Sequence, residues 1–143
     1  MGAADLTLKT SMQIATQLSV FLANEPGTLA EVCELLSRER INIFGLTVSD
    51  TTDHSVVRMV TSDPSRTSHL LGERGVLVIE NKVLLLENSN KPGEFGAVAR
   101  KLAKAKINIE YAYLATSPGA KKGLAVFRVS DTKKAAKLLG VEA

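Results

Sequence analysis

Asn24-Glu25-Pro26-Gly27-Thr28-Leu29 and Asn90-Lys91-Pro92-Gly93-Glu94-Phe95 are one turn-and-helix start written twice, 66 residues apart. Each is followed at the same interval by an Ile-Asn-Ile triplet, Ile41-Asn42-Ile43 and Ile107-Asn108-Ile109. The apolar positions between them also coincide. Leu29, Val32, Cys33 and Leu36 in the first copy stand where Phe95, Val98, Ala99 and Leu102 stand in the second. Positions i, i+3, i+4 and i+7 form one stripe of a helix. A unit repeated at a fixed period decides the architecture before any single element does.

Working outward, Leu18, Val20 and Leu22 alternate with Gln17 and Ser19, the period of a half-buried strand. After the first helix, residues 43–48 read as a second strand, 49–54 as a polar turn and the β-branched residues 56–61 as a third strand. Asp63-Pro64 starts a short helix, Asp capping free amides and Pro fitting the first turn, and 76–80 closes the unit as a fourth strand. The second copy opens at Lys82 and repeats the order: strand to Glu87, helix 92–105, strand 108–115, loop 117–123, strand 124–129, and a last helix capped by Asp131. Only Val141-Glu142-Ala143 remain for its last strand. The expectation is an α+β chain of two tandem ferredoxin-like βαββαβ units, the second with a short or missing last strand. Residues 1–12 read as a flexible leader or a cloning remnant, 13–81 as the first domain and 82–143 as the second.

Composition narrows the function. Apolar residues make up 45% of the 143 and charged residues 23%, the balance of a globular protein. No apolar run approaches the ~20 residues of a membrane-spanning helix, and no basic-then-apolar start marks a secretory signal. A single cysteine cannot form an internal disulfide; the chain is expected in the cytoplasm. The charge is unevenly spread: residues 1–80 hold six basic and ten acidic side chains, residues 81–143 twelve and five. A basic half can attract nucleic acid, and it can equally be a set of solvated helix faces carrying Lys101, Lys104, Lys133 and Lys137.

The repeated turn is the stretch that can carry chemistry. A strand ends, Pro-Gly turns the chain, and a helix begins with unpaired amides whose dipole favours a carboxylate. Gly27 and Gly93 let a ligand approach the backbone. Asn24 and Asn90 offer a donor and an acceptor each, which suits a zwitterion. The other reading, a strand-to-helix turn and nothing more, stays open. Asn42 and Asn108 are either left-handed helix terminators or side chains directed at the same ligand. Cys33 reads as a small core residue, and His54 and His69 have no partner at metal-ligand spacing. No metal and no cofactor is expected. No GxSxG elbow, GxGxxG, Walker loop or paired acid and base is present, so an enzyme is disfavoured. An RNA-recognition module shares the topology, but Tyr111 and Tyr113 lack aromatic partners on the opening strand Val83-Leu84-Leu85-Leu86.

The strand Leu18-Ser19-Val20-Phe21, the Pro-Gly turns and the Ile-Asn-Ile triplets resemble the ACT domain, a small-ligand regulatory module. From about Gln13 to the end, the chain is similar to short stand-alone proteins made of two tandem ACT domains. The resemblance implies a non-catalytic regulatory protein with a free amino acid as ligand, held at interfaces between ACT units. By position it points to Asn24, Pro26, Gly27, Thr28 and Leu29, and to Asn90, Pro92, Gly93, Glu94 and Phe95. Asn42 with Ile43, and Asn108 with Ile109, are then expected on the opposite wall. Many ACT loops carry Asp where this chain has Asn24 and Asn90, which removes a carboxylate from the ligand's ammonium group. A homodimer and a separate regulated enzyme follow as expected partners, with no membrane or nucleic acid. The alternative is a structural or protein-interaction module that binds no ligand; RNA binding through the basic half ranks below it.

Overall fold

The computed structural model describes residues 12–50 and 54–140. Its elements are β1 (Met12–Ala23), α1 (Thr28–Arg38), β2 (Ile43–Asp50), β3 (His54–Thr61), α2 (Pro64–Glu73), β4 (Leu77–Ser89), α3 (Glu94–Lys104), β5 (Ile109–Ala115), β6 (Lys122–Val129) and α4 (Thr132–Leu138). They make two ferredoxin-like units. One holds residues 16–81; the other holds 82–140 together with 12–15. The strand order is β2-β3-β1-β4 in the first and β1-β4-β6-β5 in the second.

That partition differs from a division of the chain at one point. Where the sequence suggests separate strands at 76–80 and from Lys82, β4 runs unbroken. Ile79-Glu80-Asn81-Lys82-Val83 contains neither Pro nor Gly, so nothing turns the backbone. β1 is likewise longer than the alternation at Leu18–Leu22 suggests and begins at Met12, the last residue of the expected leader; residues 1–11 lie outside the described residues. No strand follows α4 among the described residues; residues 141–143, where a short last strand is expected, lie outside them. The second unit instead includes residues 12–15, and Met12 and Ile14 pack against its core.

Each core lies between helices and one sheet face. In the first unit Leu18, Val20 and Leu22 of β1 meet Val32, Leu35 and Leu36 of α1. Leu35 takes the place expected for Cys33, which is only half-buried. In the second unit Leu84 and Leu86 of β4 meet Leu102 of α3, and Phe95 stacks on Phe127 with ring centroids 5.0 Å apart. Burying one leucine of this kind contributes about 1.5–3 kcal/mol.

The repeat extends to details that set the loops. Both second strands bulge at their start, between Ile43 and Gly45 and between Ile109 and Tyr111. α1 and α3 end alike. Ile41 N–H donates to Leu36 O at 2.8 Å and Arg40 N–H to Ser37 O, as Ile107 donates to Leu102 O and Lys106 to Ala103 O. These are the paired bonds of a Schellman stop. Its left-handed residues are Arg40 (φ 58°) and Lys106 (φ 61°), not Asn42 and Asn108 as one reading of the sequence holds. The asparagines instead enter a backbone clasp. Asn42 N–H donates to Ser62 Oγ and Ser62 N–H returns to Asn42 O, both at 2.9 Å. Asn108 and Ser130 repeat it at 3.0 and 2.9 Å.

Candidate functional site

The four helix starts fall into two classes. α2 and α4 are capped by their own side chains: Asp63 accepts from Arg66 N–H and Asp131 from Lys134 N–H, each at 3.0 Å. α1 and α3 have no side-chain cap. Their N-cap residues are Gly27 (φ 93°) and Gly93 (φ 90°), both left-handed. A Cβ on either would meet nothing within 4 Å, so the space over the backbone is open. Glycine is needed here for conformation, not for room.

In the second unit this helix start opens on a cleft of about 140 Å³. It brings together Asn90, Gly93, Glu94 and Phe95 of the expected set with Asn88, Ser89, Leu114, Thr116 and Gly123, which the sequence reading missed. Gly123 sits opposite Asn88 in the β4–β6 ladder. A Cβ there would stand 2.9 Å from Thr116 Cβ and 3.0 Å from Ala115 O, so glycine lets the end of β5 close over the cleft. Asn88 and Ser89 stand where the first copy has Leu22 and Ala23. Polar residues replacing apolar ones at a strand end were the available signal for them.

Several expected side chains are already committed. Asn90 Nδ2 donates to Ala120 O at 2.8 Å and reaches Ser117 O at 3.5 Å, holding the β5–β6 loop against the turn. Glu94 accepts from Ser89 Oγ and places a carboxylate in the first turn of α3. Phe95 is drawn into the core by Phe127. In the first unit Thr28 Oγ1 donates to Ala23 O at 2.9 Å and Glu25 O at 3.2 Å, and Leu29 packs on the core. Asn24, Pro26, Asn90 and Pro92 are exposed. Among the described residues, Asn88 Oδ1 is a buried acceptor with no hydrogen-bond partner. Such an orphan costs about 1–3 kcal/mol until a donor reaches it.

Asn42 with Ile43, and Asn108 with Ile109, do not converge with these turns inside their own units. They follow α1 and α3, and eleven helical residues separate them from Gly27 and Gly93. At 1.5 Å per residue that is about 16 Å. Among the described residues no group of three His, Cys, Asp or Glu could hold a metal ion, and no helix is long and apolar enough to cross a membrane.

A family model described as an ACT domain pair matches residues 12–142. The chain belongs to that ACT family. Among solved structures it is similar to protein BT0572 from Bacteroides thetaiotaomicron, with 30% identity and a TM-score of 0.84 over 92% of this chain and 90% of that one. It also shares its fold with regulatory subunits of aspartate kinase. The ligand-free form from Thermus thermophilus is 15% identical with a TM-score of 0.64, covering 92% of this chain and 95% of that one. That from Thermus flavus is 16% identical with a TM-score of 0.60, covering 92% and 94%. No curated protein matches the sequence. The paired Pro-Gly helix starts are therefore the turns of two ACT units.

Proposed function

We propose that this ACT pair is a non-catalytic regulatory protein that binds a free amino acid at its strand-to-helix turns. The observation that carries the reading is the uncapped, glycine-opened start of α1 and α3, set against the Asp-capped starts of α2 and α4. A ligand carboxylate suits the open amides. In the second unit the buried Asn88 Oδ1 and the Glu94 carboxylate suit an ammonium group. The cleft is smaller than the ~300–1,000 Å³ of typical ligand pockets, which favours a small amino acid. The ligand-binding set is Asn24, Pro26, Gly27, Thr28 and Leu29 with Asn90, Pro92, Gly93, Glu94 and Phe95. Asn42, Ile43, Asn108 and Ile109 belong to it only across an interface with another ACT unit, since each lies about a helix length from its own turn. A homodimer supplies such interfaces, and exposed Leu46 and Val48 on edge strand β2 and Leu114 on edge strand β5 support one. The protein acts in the cytoplasm on a separate enzyme.

A thermal-shift screen of the twenty amino acids tests this reading. A ligand at about ten times its dissociation constant stabilises by about 1.4 kcal/mol. No shift from any of them at millimolar concentration would sink it. The commitment of Thr28 and Asn90 to their own loops favours a second reading, an interaction module without ligand. Gly27→Val with Gly93→Val separates the two: partner binding survives the double change only if the turns serve no ligand.

A further inference from the structure

We propose that the helix side of the second unit is a docking surface for the phosphate backbone of a nucleic acid. The uneven charge of the chain is gathered there. Arg100, Lys101 and Lys104 of α3 and Lys133, Lys134 and Lys137 of α4 are all exposed. Leu102, Ala135 and Ala136 turn the other sides of these helices into the core. The two cationic sets meet, because Lys134 Nζ donates to Ala105 O at the end of α3 at 3.0 Å. Lys101 and Lys104 precede that carbonyl by four residues and one, so both lie within about 6 Å of it along the helix axis.

The carboxylates of residues 82–140 are engaged elsewhere. Glu87 pairs with Lys122 and Glu110 with Arg128, each at 3.4 Å. Glu94 accepts from Ser89 Oγ, and Asp131 is spent on the cap of α4. Among the described residues Arg100, Lys101, Lys104, Lys133 and Lys137 form no ion pair. Like charges gathered this closely repel one another, and a polyanion relieves the repulsion. The first unit lacks the arrangement. With the repeated turns aligned, Glu34, Leu35 and Arg38 stand where the second has Arg100, Lys101 and Lys104. With the capping Asp63 and Asp131 aligned, Ser65, Arg66 and His69 stand where it has Lys133, Lys134 and Lys137.

The make-up of the surface selects the partner. Five of the six cations are lysines, and Leu138 is the one large apolar side chain exposed on α3 or α4. Protein interfaces favour aromatic residues and arginine and are poor in lysine. A helix lying on a membrane needs an apolar face to insert. The helices of a second copy offer no matching field, since α1 and α2 carry three carboxylates against two cations, Arg38 and Arg66. A phosphate backbone asks only for cations, and each contact gains by releasing counterions. The scarcity of aromatic side chains argues against base stacking on the sheet; the helix side needs none, because it meets phosphates and not bases.

The test is fluorescence anisotropy of the full chain with labelled oligonucleotides: two DNA duplexes of unrelated sequence and one single-stranded RNA. Poly-glutamate and phosphatidylserine vesicles are titrated alongside. The expected result is binding at about 50 mM salt, alike for both duplexes, with log K falling against log salt at a slope near −5 for six contacts on duplex DNA. Affinity then drops about a thousand-fold between 50 and 200 mM. Replacing Lys101, Lys104, Lys133 and Lys137 together by Gln is expected to flatten the slope by about 4, one unit for each lost contact. Arg38→Gln with Arg74→Gln in the first unit is expected to leave it unchanged. No binding to any oligonucleotide overturns the proposal, as does an undiminished slope in the four-glutamine variant. Equal or tighter binding to poly-glutamate or to vesicles overturns it in favour of an acidic protein or a membrane. Salt-sensitive self-association that the four-glutamine variant loses overturns it in favour of a second copy.

Discussion

Gly93→Ala isolates what the helix-start glycine does. Its φ of 90° is one that L side chains rarely adopt, yet an added Cβ meets nothing within 4 Å. The cost is therefore backbone strain without a clash, about 1–2 kcal/mol. Alanine also restricts the unfolded chain, which returns about 0.5 kcal/mol, leaving a net loss near 1 kcal/mol. For a chain of this length that lowers Tm by about 3–5 °C. Gly96 is three residues on, inside α3, also open within 4 Å but in helical conformation. There the same substitution is expected to stabilise by about 0.5–1 kcal/mol, because glycine is a poor helix former. Urea unfolding of the two variants measures both signs in one helix. If Gly93→Ala is neutral or stabilising while Gly96→Ala behaves as stated, the left-handed helix start is not held in solution and the open-amide argument fails with it.

Three further outcomes follow from the structure. Lys106→Gly relieves a left-handed non-glycine residue and should stabilise by about 0.5–1 kcal/mol in denaturant titration, with Arg40→Gly behaving alike. Gly123→Ala drives a Cβ to 2.9 Å from Thr116 Cβ and 3.0 Å from Ala115 O; it should cost about 1–3 kcal/mol, and a loss no larger than that of Gly93→Ala would contradict the close approach of β5 and β6. Ile14→Ala should cost about 1–2 kcal/mol and speed amide exchange in α3 while leaving α1 protected, because Ile14 packs on the core of the second unit. Faster exchange in α1 instead would place that residue with the other core.

The two ferredoxin-like units were legible because the repeat aligns strand alternation, helix stripe and turn together. Asp63 and Asp131 were legible as caps because Asp followed by a helix start has one economical geometry. What escaped was whatever depends on partners distant in sequence. Nothing local marks residues 12–15 as part of the second unit, since alternating apolar residues serve either core equally well. Leu35 and Cys33 both border the helix stripe, and only packing decides which is buried. At the candidate site the Pro-Gly turn was readable, but the engagement of Asn90 with Ala120 depends on a loop thirty residues away. Asn88 was passed over because a polar residue at a strand end resembles the beginning of a loop. Only its alignment with buried Leu22 marks it as unusual.

The sharing of β1 and β4 between units bears on the order in which the chain can assemble. Residues 12–15 precede the first unit, yet their own unit resumes only at Lys82, so its sheet cannot close until the strands after Lys82 have followed. Contacts of such long sequence separation pay loop entropy before they gain burial, and they slow folding. A fragment cut between Asn81 and Lys82 leaves Met12 and Ile14 without the core they pack on, and the remainder without that strand segment. Duplication wrote the unit twice, but the second copy is completed by a segment that the chain places before the first.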